Sequence, residues 1–300
     1  MTNGKIELSI IIISYNTYKI TKNCLESIFK SLKNNHINYE ILVVDNASSD
    51  DSLSMLKNIK YNDSNIRIIE NKANIGFARA NNQAVQLTKG EYILFLNSDT
   101  VVINDAINKL FDFYKKNEKT INFLGGKLLN ADLTPQPSCG PFYSLPVIFA
   151  ALFLRGDYWG LTRSSPCRLK EVDWVSGACI LTKKSIFEKL GGFDEKIFMY
   201  MDEIDFLYRA KKCDFRVFFY PEAKFIHLGS ASSGKRTFPI LQVYSGFLYF
   251  YKKHHGALAN KVLKFVLKLK AIIALTVGRI TGNKYLDETY EKAYQMVKMA

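Results

Sequence analysis

Three acidic residues lie close together in the second half of the chain: Asp202, Glu203 and Asp205. Phe198 and Phe206 flank them, so apolar side chains stand on both sides of the acids. Repulsion between like charges and partial burial both raise the pKa of a carboxyl group, which suits a general base. On a helix Asp202 and Asp205 share a face, whereas Glu203 points about 100° away. One acid can therefore abstract a proton while another binds or orients; a solvated acidic helix start is the alternative.

Two further acids follow predicted strands in the first half of the chain. Asp45 follows the strand predicted at 40–44, where a carboxylate can accept hydrogen bonds from a nucleotide base or ribose; a helix cap is the alternative. Asn97-Ser98-Asp99 follows the apolar run Tyr92–Leu96. Asp99 there can hold a divalent cation against a diphosphate, because such cations require hard oxygen ligands. A plain strand-to-loop turn explains the same triplet without a metal.

The end of the first predicted strand reads Ser14-Tyr15-Asn16-Thr17. A dinucleotide-binding fold needs GxGxxG at this place, so the sequence argues against a Rossmann dehydrogenase. His227 follows the strand-like segments 216–220 and 223–226. A lone histidine near apolar residues is usually structural, and His227 taken alone indicates no ligand role.

The elements that must position these residues alternate between strand and helix over the first 130 residues. Strands are predicted at 8–14, 40–44, 66–70, 92–96 and 123–128, with helical periodicity between them. This alternation predicts an α/β fold with a mainly parallel sheet and helices on both faces, and ligands in such sheets bind beyond the carboxyl ends of the strands. The stretch 130–170 holds five of the seven prolines and is predicted to be irregular, as a wrap or a flap. A second ordered block follows at 172–227, and a helical tail at 238–300.

The charge of the chain is uneven. The formal net charge is +13, and from Lys252 to Ala300 there are ten Lys and Arg against three acids. A basic tail on a balanced body favours an anionic surface or a membrane over nucleic acid. The five cysteines form no CxxC pair, so neither a zinc site nor a disulfide framework is indicated. With no apolar run of about 18 residues and no leader pattern, we expect a cytoplasmic protein.

Taken together, the motifs resemble the family-2 inverting glycosyltransferases with the GT-A fold, in the bacterial rhamnosyltransferase-like branch that builds cell-surface polysaccharide. The matching segments, in family order, are IIISYNT (11–17), VVDNASSD (43–50), NIGFARANN (74–82), LNSD (96–99), DWVSGACIL (173–181), GGFDE (191–195), FMYMDEIDFLYR (198–209) and the HLG that begins at His227. The resemblance covers residues 8–229.

The resemblance implies a GT-A catalytic domain at 1–237, with a nucleotide-binding half at about 1–130 and an acceptor half at about 171–237. A helical, basic extension would follow at 238–300. It also implies a divalent cation, Mn²⁺ or Mg²⁺, a nucleotide-sugar donor, and a glycan or polyprenyl-diphosphate-linked acceptor. The implied nucleotide-sugar contacts are Ser14, Tyr15, Asp45, Arg79, Asn82 and Asn97. The implied acceptor-side residues are Trp174, Gly177 and Ala178, and the implied metal ligands are Asp99 and His227.

Two positions depart from the family pattern. Asn97 replaces the first Asp of the DxD-type motif, which weakens the charge at the metal but keeps an oxygen donor. The usual Glu-Asp pair is reversed as Asp202-Glu203. By position Glu203 aligns with the usual base, with Asp202 as its support, and the assignment between these neighbours stays open.

Two other functions compete with glycosyl transfer. A sugar-phosphate nucleotidyltransferase would need a basic, Gly-rich loop after the first strand, which the sequence lacks. A non-catalytic sugar-nucleotide or lipid-binding subunit would not need the four acids Asp99, Asp202, Glu203 and Asp205. The donor sugar is not readable, although the branch favours dTDP-rhamnose. The tail is predicted to contact a membrane peripherally through Lys261, Lys264 and Lys268; packing on the catalytic domain is the alternative.

Overall fold

The computed structural model describes residues 5–33, 36–62, 65–229 and 237–300. Its strands are β1 (Leu8–Ser14), β2 (Tyr39–Asp45), β3 (Ile66–Glu70), β4 (Tyr92–Leu96), β5 (Thr100–Val102), β6 (Phe123–Leu129), β7 (Cys139–Gly140), β8 (Lys170–Val172), β9 (Trp174–Val175), β10 (Cys179–Lys183) and β11 (Val217–His227). Its helices are α1 (Tyr18–Leu32), α2 (Ser52–Asn62), α3 (Phe77–Leu87), α4 (Ala106–Asn117), α5 (Leu145–Phe153), α6 (Lys184–Lys189), α7 (Asp202–Lys212), α8 (Thr237–His254), α9 (Ala257–Thr281) and α10 (Lys284–Met299).

One large sheet forms the centre of the molecule, in the order β3-β2-β1-β4-β10-β6-β11-β5, with β8 paired to β11. The first four strands are parallel, as predicted from their continuous apolar runs. β10 then lies antiparallel between β4 and β6, and β11 runs parallel to β6. The predicted α/β class with a mainly parallel sheet is confirmed.

The core is divided between the two faces of this sheet. Buried residues of α1, α2 and α4 cover one face. Those of α3, α6 and α7 cover the other face, and α8, α9 and α10 add further buried residues to the same cluster. The parallel strands therefore end between two helical layers, and their carboxyl ends open at one edge.

The prediction for residues 130–170 was wrong in one respect, because this stretch contains α5. Pro146 lies in the first turn of α5, where a missing N–H costs nothing and the fixed φ of proline suits a helix. Ile148 and Ala150 of this helix are buried. The prolines that suggested irregular structure thus flank or begin a helix rather than excluding one.

The predicted helical tail is confirmed, and it is not a separate body. Tyr251 on α8 is buried and donates a hydrogen bond from its hydroxyl to the carbonyl of Tyr143, at 2.9 Å. On α9, Leu263 and Leu267 are completely buried in the cluster that also contains residues of α7. Among the described residues, no helix combines the length and apolar content needed to cross a bilayer.

We expect Leu267→Ala on α9 to lower the free energy of unfolding of the whole chain by about 2–5 kcal/mol, because it leaves a cavity in the shared core. Phe265→Ala on the same helix is the matched control, since Phe265 is 65% exposed and its removal should change stability by about 0.5 kcal/mol or less. Urea unfolding followed by circular dichroism measures both. If Leu267→Ala destabilised only a separate unfolding transition of the tail, the tail and the catalytic domain would not share one core.

Candidate active site

The ends of β1 and β2 place Ser14 opposite Asp45. Asp45 is almost completely buried, and its Oδ2 accepts a hydrogen bond from the backbone N–H of Ser48 at 3.0 Å. Its Oδ1 is buried and has no hydrogen-bond partner among the described residues. A buried carboxylate oxygen without a partner calls for a polar ligand, because leaving it unpaired is costly.

Ser14 and Tyr15 take different places at this strand end. The hydroxyl of Ser14 is fully buried and lies 3.3 Å and 3.0 Å from those of Thr17 and Thr21, which fixes the turn into α1. Tyr15 is only half-buried. Of the two predicted nucleotide contacts, only Tyr15 has an accessible side chain that a nucleotide could contact. Ser14 instead stabilises the loop through its buried hydroxyl.

The pairing of β5 with β11 places His227 beside Asp99, although 128 positions separate them. His227 Nε2 lies 3.3 Å from Asp99 Oδ1 and 3.4 Å from Asn97 Nδ2. The Oδ1 of Asn97 is buried and has no partner among the described residues. Carboxylate, amide and imidazole donors therefore converge here, which fits a divalent cation that keeps open positions for a substrate.

The described part of the chain contains no cluster of three or more His, Cys, Asp or Glu side chains that could hold a metal by themselves. A cation at Asp99 and His227 would therefore complete its coordination with amide, water or substrate oxygens. This suits an ion that binds together with a diphosphate.

Gln136 fixes the orientation of His227. Its Nε2 donates to the carbonyl of His227 and to Oδ1 of Asn130, both at 3.0 Å, which identifies its Oε1 as an acceptor. That Oε1 lies 2.7 Å from His227 Nδ1, so Nδ1 carries the proton of the neutral ring. The lone pair of Nε2 then faces the amide N–H of Asn97, next to Asp99, and such partners are known to hold metal-binding histidines in place.

Asp202 and Glu203 form the first turn of α7, and burial separates their roles. Asp202 is 3% exposed, and its burial and then the charge of Glu203 raise its pKa well above the ordinary value. Glu203 is only partly buried; burial raises its pKa, while Arg163 and the backbone N–H of Gly177 oppose the rise. Glu203 is thus the more accessible of the two carboxylates, and burial shifts its pKa in the direction that suits a general base.

One short turn joins Glu203 to the donor edge. The carbonyl of Ala178 accepts a bond from the N–H of Asn97 at 3.1 Å, and the preceding residue, Gly177, lies beside the side chain of Glu203. Ala178 itself is buried, and a Cβ added at Gly177 would lie 3.7 Å from that of Glu203. Consecutive residues thus connect the two groups of predicted site residues.

The backbone before Glu203 is strained. Tyr200 and Met201 have φ angles of 62° and 68°, which cost of order 1–3 kcal/mol each for residues other than glycine. The N–H of Phe77 on α3 donates to the carbonyl of Phe198 at 2.8 Å. On α8, Gly246 lies so close that an added Cβ would be 2.6 Å from Cγ of Met201. Two neighbouring helices therefore hold the turn in a conformation that it would not adopt alone.

Asp205 is completely buried, and two cations and a histidine contact it. Arg209 Nε lies 2.9 Å from its Oδ2, Lys253 Nζ lies 2.8 Å from its Oδ1, and His254 Nε2 lies 2.7 Å from the same Oδ1. Burial opposes ionisation, but the bonds from Lys253, His254 and Arg209 outweigh it and lower the pKa of Asp205. Its lone pairs are occupied, so in place of the predicted catalytic role we propose that Asp205 positions α7 against α8.

Three other predicted site residues lie in structural contacts. Arg79 is 62% exposed and lies 3.6 Å from Glu195. Asn82 clamps Phe193, accepting from its N–H and donating to its carbonyl, both at 2.9 Å. Trp174 is buried and donates from its indole N–H to the carbonyl of Pro141 at 2.8 Å. These contacts of Arg79 and Asn82 do not involve Asp99 or His227, whereas Trp174, predicted on the acceptor side, lies under Arg163, which is near Glu203.

The sequence reasoning missed the partners of the site residues: Gln136, Arg163, Lys253 and His254. Arg163 lies near Glu203 and within 3.2 Å of the hydroxyl of Tyr143. None of these residues belongs to a motif. Their only signal was being polar or charged beside apolar segments, which does not specify a partner far along the chain.

Comparison with known proteins gives a consistent result. The model of the family described as Glycosyl transferase family 2 matches residues 9–191. The N-acetylglucosaminyl-diphospho-decaprenol L-rhamnosyltransferase of Mycobacterium tuberculosis is 25% identical over 236 residues, or 72% of this chain and 76% of that protein. The poly(ribitol-phosphate) beta-glucosyltransferase of Bacillus spizizenii is 36% identical over 124 residues, or 41% of this chain and only 19% of that protein.

Among solved structures, a mannosyltransferase from Pyrobaculum calidifontis in complex with GDP-Man and Mn²⁺ superposes with a TM-score of 0.59. The superposition covers 98% of this chain and 87% of that one, at 14% sequence identity. Identity this low shows the fold alone, and the predicted GT-A fold is confirmed.

We expect Asp205→Asn to lower the free energy of unfolding by about 3–5 kcal/mol at pH 7, because it leaves Arg209 without a buried counter-charge and Lys253 with Asp194 alone. Since the pKa of Asp205 is lowered on folding, its stabilisation is complete above the unfolded-state pKa of about 4 and is lost as the pH falls through the lower folded-state value. The difference between wild type and variant should therefore shrink below about pH 4.

Asp112→Asn is the matched control for Asp205→Asn. Asp112 pairs with His36 at the surface and is 52% exposed, so its loss should cost about 1 kcal/mol or less. Chemical denaturation across pH measures both variants. Equal, small losses for the two would show that the cluster around Asp205 contributes no more than a surface ion pair.

Proposed function

The chain belongs to glycosyl transferase family 2, and we propose that it transfers a sugar, with inversion, from a nucleotide-sugar donor to a hydroxyl group of an acceptor. One observation carries the proposal. Asn97 donates to the carbonyl of Ala178, and the preceding residue, Gly177, lies beside Glu203, so consecutive residues connect the Asp99–His227 pair to Glu203. A site for a diphosphate and a base for a hydroxyl thus lie on adjoining parts of one edge.

At the donor edge, Asp45 would bind the nucleotide base or ribose through its unpaired Oδ1, next to Tyr15. Asp99 and His227, with Asn97 beside them, would hold a divalent cation, which supplies charge neutralisation for the leaving diphosphate. Gln136 keeps the Nε2 lone pair of His227 directed at this place. The donor set of oxygens and one imidazole nitrogen suits Mn²⁺ or Mg²⁺.

At the acceptor edge, Glu203 would act as the base. The acceptor O–H gives its proton to the Glu203 carboxylate while the oxygen forms a bond to the anomeric carbon. The bond from that carbon to the diphosphate oxygen breaks in the same step, and the electron pair leaves with the diphosphate. One base and attack from the face opposite the leaving group invert the anomeric centre, and no nucleophilic side chain is required.

The nature of the acceptor is proposed from a relative. The mycobacterial relative is by name a rhamnosyltransferase acting on N-acetylglucosaminyl-diphospho-decaprenol. By analogy we propose a glycan or polyprenyl-diphosphate-linked saccharide as acceptor, in the synthesis of a surface polysaccharide, and dTDP-rhamnose as the first donor to test. Arg163, near Glu203, is a cation able to meet an acceptor phosphate.

Glu203→Gln should lower kcat about 10²- to 10⁴-fold and leave donor binding nearly unchanged, since it removes the proton acceptor and keeps the shape. Asp202→Asn should retain turnover and leave the acid limb of the kcat–pH profile nearly unchanged. The reason is that the interaction between the two acids raises the pKa of the more deeply buried Asp202, and an Asn of nearly the same shape preserves the surroundings of Glu203.

The pair of variants separates the two acids. Turnover of the best nucleotide sugar from a thermal-shift screen with Mn²⁺ and Mg²⁺ is followed across pH, with donor binding measured by calorimetry. If Glu203→Gln keeps its rate and Asp202→Asn loses it, the base is Asp202.

Gln136→Leu should weaken Mn²⁺ binding about 10- to 100-fold, because His227 loses the acceptor that fixes its tautomer and orientation. Gln136→Glu should restore most of the affinity, since a carboxylate also accepts from Nδ1–H. Electron paramagnetic resonance of Mn²⁺, with the nucleoside diphosphate that most raises the unfolding temperature, measures binding without turnover. If Gln136→Leu binds Mn²⁺ as tightly as the wild type does, Gln136 does not orient a metal-binding histidine.

A further inference from the structure

One long side of α9 exposes apolar side chains to solvent. At 100° per residue they fall within about 100° of arc, so they form one continuous stripe rather than scattered contacts. Phe265 is 65% exposed and Ile280 is 80% exposed, which is unusual for residues of this size on a packed helix. The stripe comprises Leu258, Val262, Phe265, Ile272, Ile273 and Ile280, with the half-buried Leu269 between them; Val277, which is 45% exposed, lies about 40° beyond it.

Basic residues line one margin of this stripe. α9 carries five Lys and Arg and no acidic residue. Lys261, Lys264 and Lys268 follow one another on the helical wheel directly beside Ile272 and Phe265. An apolar strip with a cationic margin is complementary to an anionic lipid surface, where acyl chains and phosphate groups lie at adjacent depths.

A second exposed apolar element follows α5. In the loop 154–161, Tyr158 is 80% exposed and Trp159 is 69% exposed, and their rings pack edge to face. The loop is closed by backbone bonds from Gly156 to Ala150 and from Leu161 to Gly156, both at 2.9 Å. Its aromatic side chains are therefore displayed by a defined turn. Tyr and Trp are the residues that favour the headgroup level of a bilayer.

The two elements adjoin. Lys270 on α9 lies 5.7 Å above the ring of Phe153 at the end of α5, and Phe153 stacks on Phe149, which is 43% exposed. Lys270 is on the flank of α9 away from Lys261, Lys264 and Lys268. The α9 stripe thus has a basic margin on one side and α5 with its aromatic loop on the other.

We propose that the α9 stripe and the aromatic loop 154–161 together form a docking surface for an anionic lipid bilayer. The surface lies in the interface without crossing it. Charge favours this occupant, because 144–168 and α9 together contain one acidic residue, Asp157, against eight Lys and Arg. The loop, which the sequence analysis did not identify, supplies the aromatic anchors, and α9 supplies the apolar area and the lysines.

The docking surface leads directly to the base. Two residues beyond Leu161, Arg163 lies 3.2 Å from the hydroxyl of Tyr143, over the ring of Trp174, and close enough to Glu203 to affect its pKa. A bilayer held by Trp159 would therefore present lipid-linked groups next to Glu203. This consequence rests on the proposed function, whereas the docking itself does not.

Co-sedimentation of the full chain with vesicles tests the docking. The chain should partition onto vesicles containing phosphatidylglycerol at low salt, and more weakly onto pure phosphatidylcholine or at high salt. Tyr158→Ser with Trp159→Ser should lower the partition coefficient about tenfold or more, and Lys264→Glu with Lys268→Glu should do the same. The matched controls Leu87→Ser and Lys116→Glu, on α3 and α4, should bind as wild type.

Fluorescence gives a second readout at the loop itself. The chain has two tryptophans, and Trp174 is buried, so a blue shift of the emission on adding vesicles reports on Trp159. Wild-type chain that stays in the supernatant at low salt, or a Tyr158→Ser/Trp159→Ser variant that binds as wild type, would overturn the proposal. So would a dimer by light scattering that this variant abolishes, because a second copy would then cover the surface.

The outcomes for docking and for catalysis are separable. The rise in unfolding temperature with nucleoside diphosphate and Mn²⁺ is measured on the same variants, and it should be unchanged by Tyr158→Ser/Trp159→Ser. A variant that loses vesicle binding but keeps nucleotide binding has lost the docking surface alone. Absent nucleotide binding with intact vesicle binding contradicts the proposed function alone.

Discussion

The buried carboxylate of Asp205 is the interaction on which the geometry of the site depends. It lies in the first turn of α7, and the groups that neutralise it come from α7 itself and from α8. An ionised carboxylate that is completely buried is tolerated only where cations and hydrogen bonds satisfy it. The bonds from Lys253 and His254 therefore tie the helical layer to the turn that carries Asp202 and Glu203.

That tie explains how two strained residues and two neighbouring carboxylates persist in one turn. Tyr200 and Met201 adopt left-handed backbone angles, and Asp202 and Glu203 repel each other at low exposure. The left-handed backbone angles and the repulsion between the two carboxylates would each favour a different conformation of this turn. The close contact of Gly246 with Met201 and the bond between Phe77 and Phe198 supply the opposing constraints. The C-terminal helices, which the sequence presents as an extension, are thus part of the framework that holds the candidate base.

The first 129 residues were predictable because buried parallel strands and amphipathic helices leave strong periodic signals. The strand ends were predictable too, since polar residues after an apolar run mark the edge where ligands bind. The partners of those residues were not, because Gln136 bonds to His227 across 91 positions and Lys253 to Asp205 across 48. Helix α5 was missed since proline in a first turn looks locally like proline in a loop.

The central claim is that the Asp99–His227 pair and Glu203 serve one reaction on the two sides of one anomeric carbon. A crystal structure with Mn²⁺ and a non-transferable nucleotide sugar tests it most directly. We expect an anomalous Mn²⁺ peak within about 2.5 Å of Asp99 and of His227 Nε2, and the anomeric carbon in front of Glu203, with room for one hydroxyl between them. A Mn²⁺ ion bound elsewhere, or a sugar whose anomeric carbon faces away from Glu203, would contradict it.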